Sequence, residues 1–220
     1  METKTVLICH TELQKNLRKP SYAHYFAQLP KSQIQKVAAY NQYADQVASV
    51  MGKHLLLKGL SFLGFTRENI KSFQYGKNNR PFLASLPQLD FNISHSGQFI
   101  VCALSTDAKV GIDIEKKESI NLLNFRNQLT ENQWEDLQGS EQPETLFYQL
   151  WVQKEALVKA DGSGLQYPFS TIDIQQQRAL LNEQTWLLQP IDLAPEYCVW
   201  LASNQMVIPK LQAFYFDPEP

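Results

Sequence analysis

No stretch of this 220-residue chain approaches the roughly 20 apolar residues that a membrane span requires. The only apolar run near the start, Val6-Leu7-Ile8-Cys9, is too short for the core of a secretion signal. A cytoplasmic protein without a membrane partner is therefore expected. Charge of one sign is also lacking: 20 basic and 22 acidic residues leave a formal charge of −2, which gives no long-range attraction to nucleic acid or to an anionic membrane. The three cysteines, Cys9, Cys102 and Cys198, lie far apart in apolar surroundings with no paired spacing, which speaks for buried thiols rather than zinc ligands or a redox couple. There is no glycine-rich nucleotide loop of the Walker kind, no kinase motif set, no strong internal repeat and no low-complexity tract.

What is present is core-forming material. An apolar fraction of 44% over this length is ample for one large domain or two small ones. From Ser32 to about Phe65 the positions Ile34, Val37, Tyr40, Ala44, Val47, Val50, Met51, Leu55 and Leu56 keep a helical period, which predicts two helices or one bent one. Phe91 to Ser94 and Phe99 to Leu104 read as strands around a short polar loop, His95-Ser96-Gly97. The turn Thr106 to Lys109 then separates two comparable halves, 1–107 and 108–220, each with helices and strands. In the second half, strands are expected at Ile172–Ile174, Thr185–Leu188, Tyr197–Ala202 and Ala213–Phe216, parted by Pro190, Pro195 and Pro209, with a fraying tail from Asp217.

Two segments carry most of the chemistry. In Val110-Gly111-Ile112-Asp113-Ile114-Glu115 the aliphatic residues alternate with glycine and two acids, so a strand would pack one face and present both carboxylates on the other. The segment from Pro143-Glu144 to Asp161-Gly162-Ser163-Gly164 predicts a helix with a glycine cap. Its expected buried stripe is Leu146, Phe147, Leu150, Trp151, Leu157 and Val158, and Trp151, Glu155 and Lys159 follow one another at four-residue steps along the flank. Acids two apart on a strand are common as solvated positions. With Glu155 and the lysines added, the set suits a magnesium ion, which takes hard oxygen ligands and leans on one or two carboxylates plus phosphates of a ligand. Ser94 and His95 could donate to a phosphate or could simply hydrogen-bond at a turn, while Lys36, Lys53, Lys77 and Arg80 read individually as solvated surface, with a ligand contact as the alternative.

Three motifs in order, Phe91-Asn92-Ile93-Ser94-His95-Ser96-Gly97, Gly111-Ile112-Asp113-Ile114-Glu115 and Trp151 to Leu165, preceded by Arg80-Pro81-Phe82-Leu83, closely resemble the signatures of the 4'-phosphopantetheinyl transferases of the surfactin-synthetase-activating (Sfp) type. The resemblance spans residues 75 to 165, with weaker likeness through the helical first half. It implies an α+β fold of two similar α/β halves related by a pseudo-twofold axis, with coenzyme A in the cleft between them, and hence a monomer. It also implies transfer of the phosphopantetheine arm of coenzyme A to a serine of an apo acyl or peptidyl carrier protein, releasing adenosine 3',5'-bisphosphate.

Carried over by motif, Asp113, Glu115 and Glu155 are the implied ligands of Mg2+, with Mn2+ as an alternative, and Glu155 is also the implied base. Ser94 and His95 are implied contacts to the 3'-phosphate end of coenzyme A, and Lys159 to its pyrophosphate. Arg80 stands where the family commonly has lysine, and Lys36 falls near a position that meets phosphate. Ala48 and Gln133 depart from the family pattern, which often has an arginine and a glutamate there. The rival readings are another phosphotransferase and a binding module that holds coenzyme A or a carrier protein without turnover.

Overall fold

The structure is a computed structural model that describes residues 4–14, 22–164 and 166–218. Leu165 of the third motif and the last two residues of the tail lie outside the described residues. The first part of the chain forms β1 (Thr5–Glu12), α1 (Ala23–Phe26), α2 (Lys31–Val37), α3 (Tyr43–Phe62), β2 (Phe73–Tyr75), β3 (Pro81–Leu83), β4 (Asp90–Ser96) and β5 (Phe99–Ser105). The second forms β6 (Val110–Lys116), α4 (Glu131–Gly139), α5 (Pro143–Asp161), β7 (Arg178–Leu181), β8 (Gln184–Pro190), β9 (Tyr197–Ser203) and β10 (Ile208–Ala213). The fold is α+β: two four-stranded sheets, ordered β10-β1-β5-β4 and β6-β9-β8-β7, with a small β2–β3 pair beside the first.

The connectivity repeats. In each sheet one strand, β1 or β6, pairs antiparallel with β5 or β9, which pairs antiparallel with the strand before it, β4 or β8. The long helix that follows the first strand covers the outer face in both cases. α3 packs against Leu7 and Cys9 of β1 and Ile100, Cys102 and Leu104 of β5, and α5 packs against Trp186 and Leu188 of β8 and Trp200 and Ala202 of β9. The inner faces meet each other through Val6, Ile8, Val101 and Ala103 on one side and Val110, Ile112, Ile114, Val199 and Leu201 on the other. The inner strands are thus covered on both faces, which is why Val6 to Cys9 and Ile100 to Leu104 read as continuous apolar runs rather than alternating ones.

Several local expectations hold and others shift. The region from residue 32 to 65 does form two helices, α2 and α3. α5 starts with Pro143 in its first turn and stops at Gly162, which takes the left-handed conformation (φ 82°) and donates its N–H to Val158 O at 2.9 Å. Phe147, Leu157 and Val158 of its expected stripe are buried, whereas Leu146, Leu150 and Trp151 are only partly so. β4 runs on through His95 and Ser96, and the reversal falls at Gly97. Ile172 to Ile174 form no strand, because Phe169–Thr171 make a 3-10 turn that delivers Ile172 into the core; the strand follows instead at β7. The last strand is β10, not Ala213–Phe216: Pro209 sits inside it, tolerated because β10 is a sheet edge. β10 lies parallel to β1, so residues 208–213 join the sheet of the first half.

Cys9 and Cys102 face each other across β1 and β5 and are buried, while Cys198 is only half-buried. Burial pushes the Cys9 thiol up to about 12 and the Cys198 thiol up to about 11, so both stay protonated at neutral pH.

Candidate active site

The two sheets meet edge to edge at β4 and β6, and the joint is made by side chains rather than by a ladder of backbone bonds. Asp90, Asn92, Ser94 and Ser96 alternate along β4 with Phe91, Ile93 and His95, so all four polar groups point at β6. Asp90 Oδ2 accepts from Val110 N at 2.7 Å, Asn92 Oδ1 from Ile112 N at 3.1 Å, and Ser96 Oγ from Lys116 N at 3.0 Å. These bonds satisfy edge-strand N–H groups that would otherwise be buried without partners, at a cost of about 1–3 kcal/mol each.

The serines of this row do more than seal the joint. Ser94 Oγ donates to Asp113 Oδ1 at 2.7 Å, and Ser96 Oγ donates to Glu115 Oε2 at 2.7 Å. The two-residue spacing of the serines on β4 thus matches that of the acids on β6. The acids face α5 because β6 and α5 approach closely at Gly111, where a Cβ would lie 2.1 Å from Ala156 O. No residue with a side chain fits there. Glu155 and Lys159, each one residue before Ala156 and Ala160 of that contact, are brought to the same place by α5. Lys159 Nζ donates to Asp113 Oδ1 at 2.5 Å and to Ser94 Oγ at 2.9 Å, and lies 3.8 Å from Glu155 Oε2.

The result is a cluster in which carboxylate oxygens of Asp113, Glu115 and Glu155 all lie within 4.8 Å of one another. Asp113 is 1% exposed, and its Oδ2 has no hydrogen-bond partner among the described residues. Three carboxylates against one ammonium would leave two negative charges uncompensated in a largely buried pocket. Glu155 reflects this: burial, then the Asp113 charge, pushes its pKa up to about 7 against the opposing pull of Lys159. Glu115 is raised as well, by burial first, with the Ser96 hydrogen bond working the other way. Burial alone would lower the Lys159 pKa, but the charges of Asp113 and Glu155 outweigh it and raise it. The donor set is all hard oxygen, and one of its residues, Asp113, keeps a buried carboxylate oxygen without a partner among the described residues. These residues fit a divalent cation of the magnesium type.

Of the residues singled out in the sequence, the structure brings together Ser94, Asp113, Glu115, Glu155 and Lys159. His95 lies on the opposite face of β4 and is exposed. Partial desolvation, then the nearby Lys159 charge, lowers its pKa. Lys36 stands apart on α2, its Nζ 3.2 Å from the centre of the Tyr75 ring, at a cleft of about 460 Å³ lined also by Tyr40, Ser49 and Asn79. Lys53 is buried behind this cleft, donating to the Ser49 carbonyl and hydroxyl, and burial followed by the Lys36 charge takes its pKa down to about 8. Lys154, neighbour of Glu155 in sequence, points the other way: it is fully buried and binds the carbonyls of Gln128 and Phe169. Gln133 is the third residue of α4, where it closes a capping box with Thr130 and donates to Ile172 O at 3.2 Å.

Arg80 is engaged elsewhere. Its Nη2 donates to both oxygens of Asp90 and to Val110 O, and its Nη1 to the carbonyls of Lys159 and Ala160. The roles of Ser96 and Asp90 were not singled out from the sequence. The signal that could have shown them is the polar–apolar alternation from Asp90 to Ser94, which continued to Ser96 marks four polar groups on one face of a strand.

Fold and cluster together define a two-part α+β protein with an acidic pocket at the joint of its sheets. Residues 109–209 match the model of the 4'-phosphopantetheinyl transferase superfamily, and residues 17–107 match the model of a 4'-phosphopantetheinyl transferase N-terminal region. The chain is 36% identical over 104 residues to the 4'-phosphopantetheinyl transferase Sfp of Bacillus subtilis (strain 168), a match covering 46% of this chain and 45% of that protein. It is 34% identical over 161 residues to the 4'-phosphopantetheinyl transferase gsp of Aneurinibacillus migulanus, covering 70% of this chain and 65% of that protein. With the L-aminoadipate-semialdehyde dehydrogenase-phosphopantetheinyl transferase of Xenopus laevis it shares 25% identity over 205 residues, covering 78% of this chain and 67% of that one. In its match to Sfp the chain spans about half the length of the relative. The chain belongs to the 4'-phosphopantetheinyl transferase superfamily.

Proposed function

We propose that this protein transfers the 4'-phosphopantetheine arm of coenzyme A to a serine hydroxyl of an apo acyl or peptidyl carrier protein, releasing adenosine 3',5'-bisphosphate. The observation that carries the reading is the convergence of Asp113, Glu115 and Glu155 beside Lys159, with one buried Asp113 oxygen lacking a partner. These three carboxylates would hold Mg2+, or Mn2+ in its place. When bound, the ion supplies neutralisation of the charge carried by the cofactor diphosphate.

In the transfer, the carrier serine oxygen bonds to the β-phosphorus, the bond from that phosphorus to the bridging oxygen breaks, and adenosine bisphosphate departs with the electron pair. Lys159 sits where it can counter charge on the diphosphate, and Ser94 holds both Lys159 and Asp113 in place. The serine proton passes to Glu155, directly or through a water. His95 and Lys36 are the proposed contacts for the nucleotide end of coenzyme A, on the α3 side of the joint. The repeated connectivity supports two α/β halves, 1–107 and 108–220, related by a pseudo-twofold axis, with the cofactor between them and the chain acting as a cytoplasmic monomer. Among the described residues no helix is long and apolar enough to cross a membrane, and neither membrane nor nucleic acid is a proposed partner.

The test is incubation of purified protein with coenzyme A, Mg2+ and a panel of apo carrier proteins, followed by intact mass spectrometry. The expected outcome is the mass of one phosphopantetheine added to the carrier, lost when the carrier serine is replaced by alanine. Coenzyme A binding with no mass increment on any carrier would instead favour a binding module without turnover.

A further inference from the structure

Arg80 is 19% exposed at its side chain, yet it lies in the turn between β2 and β3 and reaches across the joint of the two sheets. Its guanidinium binds three different segments at once. Both Asp90 oxygens anchor it to β4 (2.9 and 2.7 Å), Val110 O ties it to β6 (3.2 Å), and the Lys159 and Ala160 carbonyls fix it to the last turn of α5 (3.0 and 3.2 Å). The last carbonyls of a helix have no partners within it, and a cation there is favoured by the helix dipole. Here that cation comes from a segment about eighty residues away.

A second side chain from the same turn does similar work. Asn78, in the left-handed conformation that asparagine tolerates (φ 53°), donates through one nitrogen to Gly162 O at 2.9 Å and Ser163 O at 2.7 Å. The turn therefore clamps four backbone acceptors, those of residues 159, 160, 162 and 163, at the end of the helix that carries Glu155 and Lys159.

We propose that Arg80 is a positioning residue: together with Asn78 it fixes the end of α5 against β4 and β6, and so sets where Lys159 points. This rests on the transferase reading and assigns Arg80 to the helix end rather than to a phosphate of coenzyme A. Lysine would keep the charge but not the planar fork that reaches three segments.

The test uses the full chain with Arg80→Lys and Asn78→Ala, the second serving also if the first does not fold. Steady-state transfer is measured with coenzyme A and with 3'-dephospho-coenzyme A, and Mn2+ binding to the protein without coenzyme A is followed by paramagnetic resonance. Arg80→Lys is expected to lower kcat about tenfold or more, since a displacement of about 1 Å can cost about a hundredfold, while KM for coenzyme A stays within about twofold. Asn78→Ala should act in the same direction by less, and Mn2+ affinity should weaken in both because Glu155 rides on the same helix.

A KM rise that matches or exceeds the kcat loss, and disappears with the 3'-dephospho donor, would make Arg80 a phosphate contact and overturn the proposal. Wild-type kinetics together with wild-type Mn2+ affinity in a folded Arg80→Lys would overturn it too. Should the unaltered protein transfer nothing, the transferase reading falls and the Mn2+ titration alone decides: weaker binding in the variants supports the positioning role, and equal binding ends it.

Discussion

The two sheets of this molecule share one pairing pattern, β1 with β5 and β4, β6 with β9 and β8, yet β1 and β6 meet their helices with different chemistry. β1 presents Leu7 and Cys9 to α3, whereas β6 presents Gly111, Asp113 and Glu115 to α5. Their inward faces are alike, Val6 and Ile8 against Val110, Ile112 and Ile114. The free edges differ as well: β10 pairs along β1, while the matching edge of β6 is met by the polar side chains of β4. Apolar residues at the helix-facing positions suffice for the fold, as the first half shows. Acids there cost stability unless something compensates them, so their presence in the second half marks a site rather than a packing need.

The largest effect should come from exchanging that difference. Cys9→Asp puts a carboxylate where the first half has no lysine to meet it, and unfolding measurements should show a loss of about 3–5 kcal/mol. Asp113→Ala in the second half should cut transfer by at least about a hundredfold, while the metal-free melting temperature changes little, because the lost Lys159 ion pair is offset by one negative charge fewer among three clustered carboxylates. A large drop in the melting temperature of Asp113→Ala would mean that the acid is structural. Next, Gly111→Ala should destabilise by about 3 kcal/mol, the upper range for overpacking, because its methyl meets Ala156 O and Ala160 N of the helix backbone, which cannot swing aside as a side chain would.

At the joint, Asn92→Ala strips the acceptor from a buried Ile112 N–H and should cost about 1–3 kcal/mol in denaturant unfolding. A cost near zero would show that water replaces the amide and that the joint is looser than its hydrogen bonds imply.

The smallest effect is one of pH. The Glu155 pKa of about 7 lies above its ordinary 4.5, so between those values the folded chain holds more protons than the unfolded one. Stability without metal should therefore fall as pH rises across that interval. With Mg2+ the trend should flatten or reverse, since the ion binds the ionised carboxylates. Melting curves from pH 4 to 8, with and without Mg2+, check the sign.

Much of this comparison was legible in the letters because local rules govern it. Pro143 and Gly162 delimit α5, and the alternation in Val110 to Glu115 separates packing residues from acids. The face-sharing of Asp113, Glu115 and Glu155 was legible only through motif likeness, since no local pattern says which strand and helix meet. What could not be read are pairings made at long range. β10 lies beside β1 through contacts about two hundred residues apart, so Pro209 read as a breaker where an edge strand accepts it. The β4 strand extends past its expected end because Ser96 finds Glu115 and Lys116 across the joint. Arg80 looked like a surface or phosphate-binding cation because its acceptors, the end carbonyls of α5, exist only after folding.

The most direct test of the acidic pocket is a Mn2+ titration of the unaltered chain, Asp113→Ala and Glu155→Ala, followed by paramagnetic resonance at pH 8 with circular dichroism to check folding. One ion per unaltered chain, with binding lost or severely weakened in both folded variants, is the predicted result. No specific ion in the unaltered chain, or equal binding in all three, would contradict a divalent site built from these carboxylates.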